Sequence, residues 1–374
     1  MAGLYIHVPF CHSKCAYCDF YSRPCTTDYD YKRYVEAAKA EYSMRSAGYL
    51  ADGKFSTVYI GGGTPSVLPA DLLRELLAAV RPDVATEAEI TIECNPEDVD
   101  STKVGVWMDA GVNRVSMGIQ SFSDSELAEV GRRHDAAGAL RAYNTLRTSG
   151  VRNISLDLIY GLPGQTLKTW MESVDTLMDL HPEHFSSYAL SVEQGTRLYA
   201  RVLSGKFTPS DDELIESMYA YLCEAAAAAG YDHYEISNFA LAGMHSRHNS
   251  SYWRDEAYLG IGPSAVSFDG RNMRRTGSNN LKAYLQCDFS GSDVECESMD
   301  DRINDAILTG LRTSVGLDTA YIESLGGKNM VEAVLDKAQQ FIDSGMLVSN
   351  GAGRLRIPES RWLLSDMVIR ELFI

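Results

Sequence analysis

Between residues 4 and 192, short runs rich in β-branched and aromatic residues alternate with longer stretches whose apolar positions recur every three or four residues. The runs LYIHV (4–8), TVYIG (57–61), EITIEC (89–94), RVSMGI (114–119), NISLDLIY (153–160) and HFSSYALSV (184–192) predict strands. Between them, DLLRELLAAV (71–80), SELAEVGRR (125–133), AAGALRAYNTLRTSG (136–150) and TLKTWMESVDTLMDL (166–180) predict amphipathic helices. Strands that alternate with helices of this length build βαβ units and a parallel sheet, and six such units predict an α/β fold: a partial (β/α)₆ barrel, an open relative of the eight-fold TIM barrel.

The period changes after residue 192. A helix over 211–229 leads to DHYEISNFA, then to the polar loop HSRHNSSYW (245–253). AVSFDGRNMRRTG (265–277) predicts a β-hairpin turning at Asp269-Gly270. An acidic stretch (290–301) precedes a last segment that reads as three short helices and a β wing at GMLVSNGAGRLRIP (345–358), the outline of a C-terminal winged-helix-like α+β module. The expected organisation is a barrel over 1–192, a barrel extension over 193–299 and the terminal module over 300–374.

Charge narrows the partners. With 34 basic and 51 acidic residues the chain carries a net charge of −17, which repels phosphate backbones and anionic bilayers. Residues 300–374 hold 8 basic and 11 acidic residues, so the winged outline predicts docking or structural work rather than DNA binding. No apolar run approaches the ~18 to 20 residues of a membrane span, and the N-terminus enters GLYIHVP with no signal-peptide pattern, so a cytoplasmic location is expected. In that reducing setting, a tight cysteine cluster points to metal rather than disulfides.

Such a cluster exists. YIHVPFCHSKCAYCDFYS (5–22) places Cys11, Cys15 and Cys18 in C-x₃-C-x₂-C spacing, with Phe20 two positions beyond. Thiolates suit iron–sulfur clusters and zinc. A [4Fe–4S] cubane held by three cysteines keeps one iron open to a small molecule, whereas structural zinc wants a closed shell of four and would need His7, His12 or Cys25 to complete it. Cys25, Cys94, Cys223, Cys287 and Cys296 form no second metal spacing, and most of them are expected to be buried free thiols. The other unusual residues also fall at the predicted C-terminal ends of strands, where barrel active sites assemble. These are GGGTPS (61–66), Glu93 with NPE, Gln120, and DLIYGLPGQT (157–166).

The spacing, with Tyr17 before the third cysteine, resembles the radical S-adenosylmethionine (SAM) superfamily. That resemblance implies SAM on the open iron, reductive cleavage of its sulfonium, and an electron donor such as flavodoxin or ferredoxin. Under it, the backbone of Gly61, Gly62 and Gly63 would meet the methionyl ammonium, Thr64 and Arg132 the carboxylate, Glu93 a cationic group, and Gln120 and Asp157 the ribose hydroxyls. Tyr5, Tyr17, Ala189 and Ile261 would line the pocket.

Together, YIHVPFCHSKCAYCDF, GGGTPS, RVSMGIQSF, GRRH and DLIYGLPGQT are similar to the group that includes oxygen-independent coproporphyrinogen III oxidase. Two features depart from the oxidase pattern: Phe20 stands where the oxidase has a further cysteine, and the chain starts almost at the first strand. RHNSSYW (247–253) matches the H-N-x-x-Y-W motif of heme chaperones in the same group. It implies heme as cargo, His248 as axial ligand, Asn249 orienting the loop, and Tyr252 and Trp253 supplying flat apolar surface. His245 is a competing ligand. The implied recipient is a heme-requiring apo-protein such as a membrane respiratory enzyme. The rival readings are the oxidase itself, which decarboxylates propionates to vinyls, and a zinc-stabilised, non-enzymatic interaction protein.

Overall fold

The computed structural model describes residues 2–24, 27–50, 53–351 and 353–374. Its first half is the predicted alternation. Strands β1 (Gly3–Val8), β2 (Phe55–Gly62), β3 (Val84–Cys94), β4 (Arg114–Gln120), β5 (Ile154–Tyr160) and β6 (His184–Ala189) pair in parallel in that order. The crossovers carry α1 (Asp28–Arg45), α2 (Ala70–Val80), α3 (Ser101–Asp109), α4 (Asp124–Glu129), α5 (Ala136–Thr148) and α6 (Leu167–Leu180). Polar residues ahead of several of these helices start them. Asp100, Asp135 and Thr166 accept from the backbone N–H three residues on, satisfying donors the first turn leaves free.

The two faces of each strand part company. On β1, Leu4, Ile6 and Val8 are fully buried in the apolar layer beneath the helices, with Trp107 and Trp170 among its largest members. Tyr5 and His7 take the alternate positions, and the Tyr5 ring meets those of His7, Tyr59 and His248 on the lumen side. The barrel is therefore apolar outside its strands and polar within.

Residues 193–299 extend the same sheet at both edges. After α7 (Arg197–Leu203) and α8 (Asp212–Ala228), β8 (Asn238–Ala240) adds antiparallel to β6 and β7 (Asp232–Glu235) antiparallel to β8. Following α9 (Arg247–Trp253), β9 (Tyr258–Ile261) joins β1 as a seventh parallel strand, one more than the sequence pattern predicts. The hairpin forms as expected from β10 (Val266–Phe268) and β11 (Met273–Thr276). α10 (Leu281–Tyr284) leads into the acidic stretch, which contributes an edge strand, β12 (Asp293–Cys296). The twelve strands run β12-β11-β10-β9-β1-β2-β3-β4-β5-β6-β8-β7, and the sheet does not close.

The terminal segment holds α11 (Met299–Leu311), β13 (Leu317–Asp318), α12 (Thr319–Gly326), α13 (Lys328–Asp343), a wing of β14 (Val348–Ser349) and β15 (Arg354–Arg356), and α14 (Ser365–Leu372). Helices followed by a two-stranded wing fit the winged-helix outline, but α11 and α13 are 13 and 16 residues long rather than short. Other boundaries also moved. The predicted helix 125–133 stops at Glu129 because Gly131, in the left-handed region at φ 75°, turns the chain there. The last strand ends at Ala189 rather than 192. Among the described residues, no helix is long and apolar enough to cross a membrane.

Candidate functional site at the C-terminal ends of the barrel strands

A cavity of about 440 Å³ opens at the C-terminal ends of β1–β6. Cys11, Cys15, Tyr17, Cys18, Gly62, Gly63, Thr64, Glu93, Gln120, Arg132, Asp157 and Ala189 all line it, so twelve sequence-predicted residues meet at one place. Tyr5 and Ile261 are not in its lining: Tyr5 borders a neighbouring cleft, and Ile261 lies buried opposite Ile6 on β1.

Backbone contacts hold the cysteine loop from both sides. Gly63 N–H donates to Val8 O at 2.8 Å and Thr64 N–H to Phe10 O at 2.7 Å, while Ala16 N–H donates to Val130 O at 2.9 Å. A Cβ at Gly63 would lie 2.4 Å from the Phe10 carbonyl oxygen, so only glycine admits this approach. The sequence suggested that the glycines meet a ligand; Gly63 first of all lets two loops meet each other. Cys11 Sγ contacts Ser22 Oγ at 3.5 Å, and the Arg132 guanidinium donates to Cys15 Sγ at 3.6 Å. Burial raises the Cys18 thiol.

The donor set distinguishes a cluster from a single ion. Tetrahedral zinc places thiolate sulfurs roughly 3.8 Å apart, since each lies about 2.3 Å from the metal. Among the described residues, the three thiols do not gather within 4.8 Å of one another. Nor, among the described residues, is a fourth protein ligand presented. His7 bonds Tyr5 Oη at 3.1 Å and Tyr21 O at 2.8 Å through its two nitrogens, and His12 pairs with Asp98 at 3.0 Å. Cys25 lies outside the described residues. Three thiols spread around one cavity fit a polynuclear cluster.

Two buried carboxyls face the cavity. Glu93 accepts from Tyr59 Oη at 2.8 Å and from Gly62 N–H at 3.2 Å, yet burial pushes it up to about 7. Burial likewise pushes Asp157 up to about 6, beside the Ser116 hydroxyl at 3.5 Å. A cationic ligand would relieve both. Gln120 sits at φ 73° where β4 slips register against β5, and this bulge re-aims its side chain at a cost in backbone strain. Arg132, fixed by Asn95 Oδ1 at 2.8 Å and the Gly118 carbonyl, projects its guanidinium beside Cys15.

The heme-motif segment is a helix, not the loop its polar composition suggested. Ser246 caps α9, and Glu89 on β3 accepts from the free Arg247 and His248 N–H groups at 3.1 and 3.0 Å. His248 is buried in the barrel lumen at the N-terminal end of β2, stacked on Tyr59 with ring centroids 5.1 Å apart. Its Nδ1 lies 2.8 Å from Thr57 Oγ1 and its Nε2 2.7 Å from Tyr252 Oη, so both nitrogens are engaged. Burial, helped by Arg114, pushes it down to about 3, so it is neutral at physiological pH. One helical turn separates the outlooks of its neighbours. Asn249 reaches the cysteine cavity, whereas Tyr252 and Trp253 line a second, largely apolar cleft of about 590 Å³. Tyr258, Phe268, Leu308 and Arg274 line it too, and Phe20 borders both spaces. His245 is elsewhere, paired with Asp232 at 2.7 Å and stacked on Tyr234.

Sequence reasoning missed Arg114, Tyr59 and Ser186, which line the cavity together with Asn95 of the NPE segment. The alternation along β2 and β4 places Tyr59 and Arg114 on particular faces, but nothing in a strand's own sequence says that one face looks into a polar lumen.

A three-thiol loop above an open parallel barrel defines a radical SAM protein, and that superfamily's model matches residues 5–177. The heme chaperone HemW of Lactococcus lactis is 35% identical over 375 residues, covering 99% of this chain and 97% of that protein. HemW of Bacillus subtilis is 33% identical, covering 88% of each chain, and HemW of Escherichia coli is 36% identical, covering 80% and 79%. The fold of the Escherichia coli coproporphyrinogen III oxidase HemN superposes with a TM-score of 0.84 over 100% of this chain and 90% of that one, at 22% identity. The chain belongs to the radical SAM superfamily and, within it, to the HemW family. Membership of the superfamily implies a [4Fe–4S] cluster and SAM as cofactors, and the cysteine cavity supplies a donor set that fits them.

Proposed function

We propose that this protein binds heme and hands it to an apo-protein, working as a heme chaperone of the HemW type. The observation that carries the reading is the HNSSYW helix, whose Tyr252 and Trp253 wall an apolar cleft while Tyr252 holds the Nε2 of a neutral, buried histidine. A porphyrin needs flat apolar walls, and a neutral imidazole is the form that ligates iron. In this reading the heme enters the cleft, the Tyr252 ring turns aside, and His248 Nε2 takes the iron.

Cys11, Cys15 and Cys18 hold the cluster, with SAM contacted by Gly62, Gly63, Thr64, Glu93, Gln120, Arg132 and Asp157. When bound, these cofactors supply one-electron chemistry, with a flavodoxin- or ferredoxin-type reductant as its electron source. The chain's own residues orient SAM and keep water from it. The three segments 1–192, 193–299 and 300–374 serve as barrel, extension and docking module. Transfer takes place in the cytoplasm, to a recipient such as a membrane respiratory enzyme.

Heme titration of anaerobically reconstituted protein tests this. The wild type should bind heme with a histidine-ligated Soret spectrum, and His248→Ala should lose that spectrum. An unchanged spectrum and affinity in the variant would move the ligand elsewhere. Conversion of coproporphyrinogen III to protoporphyrinogen in the presence of SAM and reductant would favour the oxidase instead.

A further inference from the structure

Far from the cysteine cavity, three donors of different kinds converge where the terminal module meets the barrel extension. Cys223 on α8, His233 on β7 and Glu359 beyond the wing bring a sulfur, a nitrogen and an oxygen within 4.8 Å of one another. His233 Nδ1 lies 2.6 Å from Glu359 Oε1 and 3.9 Å from Cys223 Sγ. Tetrahedral zinc would set such donors roughly 3.4 to 3.6 Å apart. The thiol and imidazole are already close to that spacing, and the half-exposed Glu359 side chain has room to draw back by under about 1 Å to match it.

The imidazole is held as a ligand would be. Its ring stacks on Phe239 at 3.8 Å between centroids and meets the Trp362 ring edge-on at 4.3 Å. Nε2 lies 3.4 Å from the Ile236 carbonyl, so a proton on Nε2 leaves the Nδ1 lone pair directed at Cys223 and Glu359. Without a cation, Nδ1 must instead carry a proton to meet the carboxylate. Cys223 Sγ faces the same nitrogen at 3.9 Å, and a divalent cation between them would take the sulfur as thiolate.

A further group is aimed at the same place. Tyr219, one turn before Cys223 on α8, is 93% buried, and its hydroxyl faces the Cys223 thiol. A cavity of about 280 Å³ opens beside the three donors, with room for a solvent ligand. Nothing in the radical SAM chemistry uses these residues.

We propose that Cys223, His233 and Glu359 form a zinc site, with water in the fourth position hydrogen-bonded to Tyr219. The ion ties the terminal module to the barrel extension, since Glu359 follows the wing while Cys223 and His233 belong to the sheet's edge. The site is distinct from the N-terminal cysteines, whose thiols are engaged by the cluster.

The test uses full-length protein already loaded with its iron–sulfur cluster, so that Cys11, Cys15 and Cys18 are occupied. After exposure to Zn²⁺ and desalting, metal analysis should find about one zinc per chain beside the cluster iron. Competition with a chromogenic chelator gives the affinity. C223S should weaken it by more than 100-fold and E359Q by roughly 10- to 100-fold. Both substitutions are conservative, and unchanged cluster absorbance reports that the fold survives. Wild-type protein that retains no zinc, or variants that retain it with wild-type affinity, would overturn the proposal.

Discussion

Tyr252→Phe offers a test in which the sign of the effect matters as much as its size. The Tyr252 hydroxyl lies 2.7 Å from His248 Nε2, and that bond must break before Nε2 can face iron. A buried neutral hydrogen bond contributes about 1 kcal/mol net. Phenylalanine keeps the ring on the cleft wall and removes the bond, so that ligation no longer has to overcome it. At about 1.4 kcal/mol per factor of ten, heme affinity should rise about fivefold. The assay is a Soret titration of reconstituted wild type and Tyr252→Phe, with thermal melts to confirm that both are folded. The His248 Nδ1–Thr57 bond, at 2.8 Å, remains to hold the ring in register. A Tyr252→Phe protein that binds heme as tightly as wild type, or less tightly, would refute the hydroxyl's role as a latch on the ligand.

Gly63→Ala should prevent cluster assembly, because its Cβ would press on the Phe10 carbonyl at 2.4 Å and part the two loops; overpacking of this kind costs about 1–3 kcal/mol. Iron analysis after reconstitution should fall well below the roughly four irons of one cubane. SAM affinity should strengthen as pH rises through about 7, since Glu93 sits near that value and only its carboxylate attracts an ammonium. Equilibrium dialysis from pH 6 to 8 should show that slope, and Glu93→Gln should flatten it. Heme ligation should show no protonation step between pH 5.5 and 8, because burial holds His248 down to about 3. The same shift has a stability consequence. The unfolded imidazole binds protons below its ordinary value near 6.5 and the folded one does not, so His248 should lower stability as pH falls from about 6.5 toward 3. Denaturant melts of wild type and His248→Gln across that range should converge at the acid end.

Much of this site is readable from residue order, because a parallel βα barrel gathers the ends of successive strands regardless of how far apart they lie in sequence. Glu93 and Gln120 were legible for that reason, each standing at or next to the end of its strand, whereas Asp157, expected at a strand end, lies in the middle of β5. The first crossover helix was not. Residues 28–45 mix tyrosines, alanines and charges with no apolar stripe, and yet Tyr34, Val35, Ala37 and Ala38 are buried because α1 packs closely on the sheet. α9 was hidden for a different reason. Ser, Asn and His favour turns, and the helix depends on a carboxylate from β3, 158 residues away, for its first donors. Arg114 could pass for a surface residue at a strand start, whereas the lumen buries it among Glu93, Asp157 and His248. The Cys223–His233–Glu359 trio spans two segments whose packing no local pattern announces.

Heme transfer bears most directly on what this protein does. Reconstituted protein loaded with heme is mixed with an apo-hemoprotein, and the Soret band is followed as the cargo changes hands. Transfer from wild type, with none from His248→Ala, is the predicted result. Retention of heme by the wild type, together with protoporphyrinogen formation from coproporphyrinogen III in a parallel sample, would contradict it.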